Sequence, residues 1–377
     1  MIEKNIFDAT KNYKTSTGSV FLESNPGLID SINKRLPRLW GLYKKLRKQD
    51  WDEGEQSYKD CQVEFQNGDQ SEANKMLMTL AWQWEQDSNA AHHLVPLMAP
   101  FVSSTEVWAA FSRIGENEVL HGLTYSEIVR GSFDNPDEVM KFVLDRQEPL
   151  RRMTAVSRVM AYAQEVGAKI ILGQVSRDSD EARDAVMLLE FTMFAMERVQ
   201  FMSSFAVTFA LAEAGKFIPI GTIVQKICND EFNIHVEVHR EIIRNELSTD
   251  IGRASFNRIK GQLKEIYTEI VQAELNFNEK ELFADGKELA GLNLERLNKF
   301  VLYSATDVFN ETGVENPFEI VTKNPLDYMD DWVNMDNSQA APQEQKTMNY
   351  FLGGFSHDLD ALEKVEGKFH YDATALA

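Results

Sequence analysis

Apolar residues recur at three- and four-residue spacing along most of the chain, from about residue 27 to residue 302. This spacing places apolar side chains on one face of an α-helix, whereas the alternation typical of a half-buried strand is scarce. Several of the predicted helices are long and have broad apolar faces, and helices of this kind bury one another in a bundle. The pattern therefore predicts an all-α protein. Helices are expected at 28–48, 70–95, 104–130, 137–146, 150–172, 180–214, 219–246, 253–277 and 288–305.

Proline and hydroxyl residues mark several predicted helix ends. Pro37 is expected to kink or split the first helix, because proline lacks an amide donor and clashes with the preceding turn. Pro96 and Pro100 indicate a break after the second helix, which is expected to end near Leu94. The Ser-Ser-Thr run at 103–105 can cap the amino end of the third helix.

The chain changes character after about Trp332. Residues 334–347 are rich in Asn, Gln, Ala and Pro with little periodicity, which predicts a flexible tether. A short hydrophobic island follows at 348–354, and an island on a mobile terminus is expected to dock on a partner. The predicted organisation is an N-terminal extension over 1–26, a helical domain over 27–332 and a flexible C-terminal tail over 333–377.

The amino-acid composition excludes some classes of protein and disfavours others. The 377 residues include 39 Lys plus Arg and 59 Asp plus Glu, so the formal net charge is 39 − 59 = −20. A hydrophobic fraction of 43% is that of a globular protein and excludes a disordered chain. Because the chain is acidic, it is a poor candidate for binding nucleic acid through its phosphates.

The compartment can also be predicted. No run of about eighteen uninterrupted apolar residues occurs, so no membrane span is expected. Residues 1–14 lack the apolar core of a secretory signal. Cys61 and Cys228 are far apart and form no paired motif, which suits a reducing cytoplasm. We therefore expect a cytoplasmic protein.

The strongest chemical signal lies on the third predicted helix. Glu118 and His121 are three residues apart and Tyr125 follows four residues later, so all three side chains share one helix face. A lone Glu-x-x-His pair is a weak signal, and a solvated helix face is the ordinary explanation for one. Here the flanking residues are apolar, which predicts burial, and a buried carboxylate must be paired or bind a metal.

Three other helices offer matching groups. Asp87 lies on the second helix, Glu197 lies in a long apolar run, and Glu231 with His235 follows on the next helix. Glu197 could instead pair with Arg198 or with a neighbouring lysine, although adjacent helix residues point apart, which disfavours Arg198. Together the four helices present four carboxylates and two histidines, which suit iron or manganese better than calcium or structural zinc. One carboxylate from each of two helices and a Glu/His pair from each of two others is the ferritin-like dimetal arrangement.

This set of motifs resembles the small, radical-generating subunit of class I ribonucleotide reductase over about 28–354. The centre of the resemblance is the Glu-x-x-His-x-x-x-Tyr motif that ends at Tyr125. In that family the tyrosine beside the dimetal site holds a stable radical. The resemblance implies a ferritin-like bundle with additional helices, and it implies six metal ligands: Asp87, Glu118, His121, Glu197, Glu231 and His235.

The resemblance assigns further roles around this centre. Phe201 and Phe205 match two phenylalanines that pack around the radical in the family. Trp51 matches the tryptophan of the radical-transfer path, and Asp230 matches the aspartate that hydrogen-bonds between that tryptophan and a metal-bound histidine. Tyr350 matches the tail tyrosine that relays the radical to the large subunit.

One departure from the family pattern concerns the second Glu/His pair. The family spacing is Glu-x-x-His, but Glu231 and His235 are separated by one extra residue. Either the helix carries a π-type bulge that realigns His235, or the ligand set is altered. His239, four residues further on, is the alternative ligand.

The function implied by the resemblance is that of a ribonucleoside-diphosphate reductase. Two iron ions would activate O₂ and generate a tyrosyl radical, with manganese or a mixed Mn/Fe pair left open by the sequence. The implied partners are the large (alpha) catalytic subunit, reached through the C-terminal tail, a second copy of the chain in a homodimer, and an electron donor for activation.

Two other functions use a similar ligand set. A ferritin-like dimetal oxidase or oxygenase would act on its own bound substrate, and a non-enzymatic helical protein could store iron. Neither needs Trp51, Tyr125 or a tail with Tyr350, and a store would assemble into a shell of many subunits. A radical signal, with activity only after the large subunit is added, would separate the first function from these alternatives.

Overall fold

The structure is a computed structural model that describes residues 17–23, 28–29, 31–32 and 34–334. The described residues up to Val333 form one compact unit, and among them helices are joined only by loops and isolated β-bridges. Three five-residue π-helical segments, Met196–Gln200, Glu231–His235 and Asn278–Leu282, interrupt or extend the α-helices. The α-helices are α1 Pro37–Lys48, α2 Lys59–Asn67, α3 Gln70–Met98, α4 Thr105–Ser132, α5 Pro136–Leu144, α6 Glu148–Arg152, α7 Thr154–Leu172, α8 Asp180–Ala195, α9 Met202–Glu213, α10 Ile218–Asp230, α11 Val236–Ser248, α12 Asp250–Phe277, α13 Leu294–Thr312 and α14 Asp327–Trp332.

Side-chain caps explain where several helices begin. The carboxylate of Asp69 accepts hydrogen bonds from the amides of the first turn of α3. The hydroxyl of Ser104 accepts one from the amide of Val107, which confirms the predicted cap of α4. Such caps satisfy amide groups that have no partner inside the helix. The all-α fold predicted from the sequence is confirmed.

Several predicted boundaries were wrong. The first helix begins at Pro37 and not at residue 28, because proline is favoured at the first helical position and disfavours helix before it. α3 does not end near Leu94 but continues through Pro96 to Met98. The last long helix covers Leu294–Thr312, since Asn293 caps its start. The short helices α2 and α14 were not predicted.

The N-terminal part of the described chain packs into the helical unit. Val20, Phe21 and Leu22 are buried, and their segment is held by the buried carboxylate of Glu246 on α11. That carboxylate accepts hydrogen bonds of 2.8 Å from the amide of Val20 and from the hydroxyl of Ser19. Residues 19–22, which the sequence assigned to an N-terminal extension, therefore contribute to the core.

The core consists of two buried hydrophobic clusters. On α4, Ile114 belongs to the first cluster and Tyr125 to the second. On α3, Leu94 belongs to the first and Trp82 to the second. Long helices thus run from one apolar cluster into the other. None of the described helices combines the length and apolar composition that crossing a bilayer requires.

Candidate metal centre

The candidate ligands lie where the helices pass from one hydrophobic cluster to the other. Glu118 and His121 lie between Ile114 and Tyr125 on α4. Asp87 lies between Trp82 and Leu94 on α3 in the same way. The polar groups therefore form a layer inside an otherwise apolar bundle.

The other two helical segments show the same placement. Glu231 follows Cys228 of the second cluster and precedes Ile234 of the first. Glu197 lies four residues before Phe201, where the second cluster begins on that segment. All four helical segments thus bring their carboxylates to one level of the bundle.

The six predicted ligands lie together in two groups. In each group, four ligand atoms lie within 4.8 Å of one another, and every residue is buried. The two groups share the carboxylates of Glu118 and Glu231. Two adjacent cation sites with two common carboxylates are the arrangement that a bridged dimetal centre requires. The first group is Asp87, Glu118, His121 and Glu231, and the second is Glu118, Glu197, Glu231 and His235.

Both imidazole rings point Nδ1 into these groups. The Nδ1 atom of His121 lies 2.9 Å from Oε1 of Glu231. The Nδ1 atom of His235 lies 2.8 Å from Oε2 of Glu231 and 3.2 Å from Oε1 of Glu118. The two rings are stacked with their centroids 5.9 Å apart. Glu231 therefore contacts both histidines, one through each oxygen.

A π-helical segment resolves the unusual spacing of the second Glu/His pair. It covers Glu231–His235 itself, and the extra residue per turn lets both side chains reach the same centre. Of the two alternatives drawn from the sequence, the structure thus contains the π-type bulge. His239 lies outside both groups, and its Nδ1 atom is 2.8 Å from Oε1 of Glu190.

The pKa values reflect four carboxylates crowded into a water-free layer. Burial, followed by repulsion from Glu118 and Glu231, raises the pKa of Asp87 far above its ordinary value. Burial and then repulsion from the same two carboxylates raise the pKa of Glu197. Burial also opposes ionisation of Glu231, but attraction to His235 and His121 outweighs it and lowers the pKa.

The donor set fits a pair of metal ions. Both carboxylate oxygens of Asp87, and one oxygen each of Glu118 and Glu197, are buried and make no hydrogen bond with the described residues. Buried polar atoms without a partner are rare and call for an explanation such as a bound ion. Two divalent ions carry four positive charges, which would balance the four carboxylates of the layer.

The alternative partner for Glu197 is used elsewhere. The Nε atom of Arg198 donates a 2.8 Å hydrogen bond to Asp307, and its NH1 donates to the hydroxyl of Ser304 at 2.6 Å. Adjacent residues of a helix point in different directions, so the guanidinium of Arg198 points towards α13, which carries Asp307 and Ser304. Glu197 therefore remains facing the candidate metal centre.

Tyr125 lies one helical turn from His121 and is fully buried. Burial, followed by the negative charges of Asp87, Glu231 and Glu118, raises the pKa of its phenol, so the ring stays protonated. Phe201 and Phe205 belong to the same hydrophobic cluster as Tyr125, and their rings are stacked 5.9 Å apart. The phenol is thus enclosed by apolar side chains.

Trp51 and Asp230, two of the predicted transfer residues, contact each other, and Asp230 also lies against His121. The indole Nε1 of Trp51 donates a 2.9 Å hydrogen bond to Oδ2 of Asp230, and Nε2 of His121 lies 3.4 Å from the same oxygen. Tyr350 lies outside the described residues.

Asn117 was not singled out from the sequence, although its spacing of four residues before His121 places it on the same helix face.

Comparison with known proteins decides the family. A family model described as ribonucleotide reductase, small chain, matches residues 31–325, which is well over half of the chain. The chain belongs to the ribonucleotide reductase small-chain family. The predicted family is therefore confirmed, and so is the small-subunit role in an oxidoreductase.

Individual relatives of this family member cover most of its length. The ribonucleoside-diphosphate reductase subunit beta of Buchnera aphidicola subsp. Baizongia pistaciae is 26% identical over 314 residues, or 79% of this chain and 82% of that protein. The ribonucleotide reductase R2 subunit from Clostridium botulinum has a TM-score of 0.73 at 17% identity and covers 89% of this chain and 99% of its own. The dimanganese(II)-NrdF of Streptococcus sanguinis has a TM-score of 0.58 at 15% identity, covering 83% and 99%. These structures confirm the ferritin-like helical fold.

Proposed function

We propose that this small chain generates and holds a tyrosyl radical on Tyr125 for a ribonucleoside-diphosphate reductase. The observation that carries the proposal is the pair of ligand groups that share Glu118 and Glu231 beside a fully buried phenol. A single metal site would not need two shared carboxylates. An iron store would not need a phenol enclosed by phenylalanines next to its ligands.

Iron is the metal we propose for both positions. Carboxylate oxygens and imidazole nitrogens are ligands that iron and manganese both accept. The name of the Streptococcus sanguinis relative states that it contains dimanganese(II), so a manganese or mixed pair is the alternative for this chain. A reduced pair of ions, together with O₂, would supply the oxidant that takes one electron from Tyr125.

The surrounding residues give Tyr125 its role. When the phenol loses an electron it also loses its proton, and the carboxylate of Asp87, which lies beside the phenol, would accept that proton. The stacked rings of Phe201 and Phe205 exclude water and external reductants from the oxidised ring. Trp51, which is only partly buried, can pass an electron inward through Asp230 and His121 during activation.

The partners of the chain follow from the same proposal. In turnover the radical would leave through Trp51 towards Tyr350 in the C-terminal tail and onward to the large subunit, which binds the ribonucleotide. A homodimer is supported by Val119 and Leu123 on α4, whose apolar side chains are each 49% exposed one turn apart. The cytoplasmic location remains a prediction from the sequence.

The substitution Tyr125→Phe tests the proposal. The variant should bind two metal ions per chain as the wild type does, because the carboxylates and imidazoles of both ligand groups are unchanged. After exposure to O₂ it should give no tyrosyl radical signal in electron paramagnetic resonance and no ribonucleotide reduction with the large subunit. An intact radical in this variant would refute Tyr125 as the radical holder, and activity of the wild type without a large subunit would favour an oxidase.

A further inference from the structure

Asn117 joins the second candidate metal position to the Trp51 contact. We infer that Asn117 is a positioning residue that fixes the tautomer of His235 and connects this ring to Asp230. The inference rests on the proposed function, because it assumes that His235 binds a metal ion. It concerns a residue outside the six candidate ligands.

The geometry places the Asn117 amide between two groups. Its Nδ2 atom lies 3.1 Å from Oδ2 of Asp230, and its Oδ1 atom lies 2.9 Å from Nε2 of His235. The side chain of Asn117 is 1% exposed. Because water is excluded from this layer, both contacts are expected to persist and to determine the orientation of the groups they join.

The donor and acceptor roles follow from the chemistry of the three groups. Oδ2 of Asp230 already accepts a hydrogen bond from the indole of Trp51, which can only donate, so the NH₂ group of Asn117 must face this oxygen. The amide oxygen is then the group that faces His235, and it too can only accept. Nε2 of His235 must therefore carry the proton, which leaves the lone pair on Nδ1, the atom that faces Glu118 and Glu231.

The same tautomer is expected for His121, which contacts Asp230 without an intervening side chain. Its Nε2 atom faces Oδ2 of Asp230 directly, which again leaves the lone pair on Nδ1 towards the ligand group. One oxygen of Asp230 thus faces three donors: the indole of Trp51, the amide of Asn117 and the ring of His121. Asp230 therefore contacts His121 directly, whereas the Asn117 amide connects Asp230 to His235.

The π-helical segment explains why His235 needs this support. The inserted residue moves the backbone position of His235 relative to the position that a histidine has in the family spacing Glu-x-x-His. A metal-binding histidine requires a defined tautomer and ring angle, which a hydrogen bond to its other nitrogen supplies. Asn117 comes from α4, outside the distorted segment, and therefore offers a fixed reference for the ring.

The test compares the substitutions Asn117→Leu and Asn117→Gln. Leucine has a similar volume but removes both hydrogen bonds, so we expect one of the two metal ions to bind about 10- to 100-fold more weakly, while the other binds as in the wild type. Glutamine carries the same amide group on a side chain longer by one methylene, so it can still donate to Asp230 and accept from Nε2 of His235, and we expect both ions to bind within about threefold of the wild type. The readout is titration of the full-length protein with Mn²⁺ under anaerobic conditions, followed by electron paramagnetic resonance.

Two comparisons make the outcome decisive. Asn278→Leu removes another buried asparagine, which bonds Asn298 away from the centre, and should leave both ions bound normally. Asn117→Ala carries the same expectation as Asn117→Leu if the leucine variant does not fold. Equal affinity for both ions in the leucine or alanine variant, or equal weakening of both, would overturn the inference. Failure of the wild type to bind two ions would instead overturn the proposed function.

Discussion

The indole ring of Trp51 is stacked on the imidazole of His121, with ring centroids 6.0 Å apart and an angle of 18° between the planes. The same indole donates its Nε1 proton to Asp230, the residue immediately before the shared ligand Glu231. Trp51 is only partly buried, whereas His121 and Asp230 are fully buried. Trp51 therefore connects the edge of the protein to the candidate metal centre through its stacking contact with His121 and its hydrogen bond to Asp230.

Replacing Trp51 by phenylalanine should separate metal binding from radical transfer. Phenylalanine keeps an aromatic ring but cannot donate to Asp230, so a hydrogen bond to a charged group worth about 1.5–3 kcal/mol is lost. We expect two metal ions per chain and ribonucleotide reduction lowered by about tenfold or more, measured with the large subunit. Trp40→Phe alters a tryptophan on α1 whose ring is tilted by 41° against that of Tyr43, and it should leave the rate unchanged. Equal rates for Trp51→Phe and the wild type would contradict this role.

The substitution Phe205→Leu should shorten the lifetime of the radical. Smaller side chains in a close-packed core leave a cavity that weakens packing, at a cost of about 1–2 kcal/mol, and here they would also open a path for reductants. The decay of the radical signal should accelerate in the presence of a small reductant. Phe191→Leu creates the same loss in the other hydrophobic cluster and provides the control. A similar decay in both variants would mean that Phe205 has no special protective role.

Removal of bound metal should lower the free energy of unfolding. Ions that bind the folded state alone stabilise it by about 2.7 kcal/mol at a concentration one hundred times the dissociation constant. We expect the unfolding temperature to rise on addition of Mn²⁺ and to fall again with a chelator. Glu197→Gln should reduce this increase, because Glu197 belongs to one ligand group.

A second buried carboxylate supplies the control for that experiment. Glu190 is as fully buried as Glu197, but it contacts His239 and belongs to neither ligand group. The variant Glu190→Gln should therefore keep the full stabilisation by Mn²⁺. If the two variants lose the same amount, the effect reflects a general loss of core stability and not the loss of a ligand.

The pH dependence of stability should contain a contribution from Glu274. Burial raises the pKa of this carboxyl to about 7, although Arg152 beside it acts in the opposite direction. A carboxyl with a raised pKa binds its proton more tightly in the folded state than in the unfolded one. The free energy of unfolding should therefore fall as the pH rises from the ordinary glutamate value to about 7, and change little from this source above it.

Comparison with Glu274→Gln isolates this contribution. The amide cannot ionise, so the difference in unfolding free energy between wild type and variant should decrease with pH by up to about 1.4 kcal/mol per unit below pH 7. Urea unfolding at pH 5, 6, 7 and 8, with the metal removed by chelator, gives this difference. A difference that grows with pH would show that Arg152 dominates over burial.

The helical fold and the candidate ligands could be predicted because both depend on residues that are close together in the sequence. The face shared by Glu118, His121 and Tyr125 follows from helical spacing alone, and their apolar neighbours indicate burial. The start at Pro37 could also have been predicted, since proline is common at the first helical position. These features depend on residues within one or two turns of each other.

The features that were not predicted depend on contacts between helices. Asn117 carries no charge and matches no motif, so its importance emerges only when Asp230 and His235 are placed on either side of it. The π segment at Met196–Gln200 was not predicted either, because no spacing anomaly around Glu197 marked it. Side-chain positions set by another helix cannot be read from the periodicity of one.

The π segment at Glu231–His235 has a consequence for the rest of its helix. One additional residue in a regular α-helix turns everything beyond it by about 100°, which would carry the buried side chains of α11 away from their neighbours. The wide turn takes up that rotation within five residues, so Ile242 and Ile243 still face the core. The effect of a single-residue insertion beside a candidate metal ligand is thereby confined to one turn of the helix.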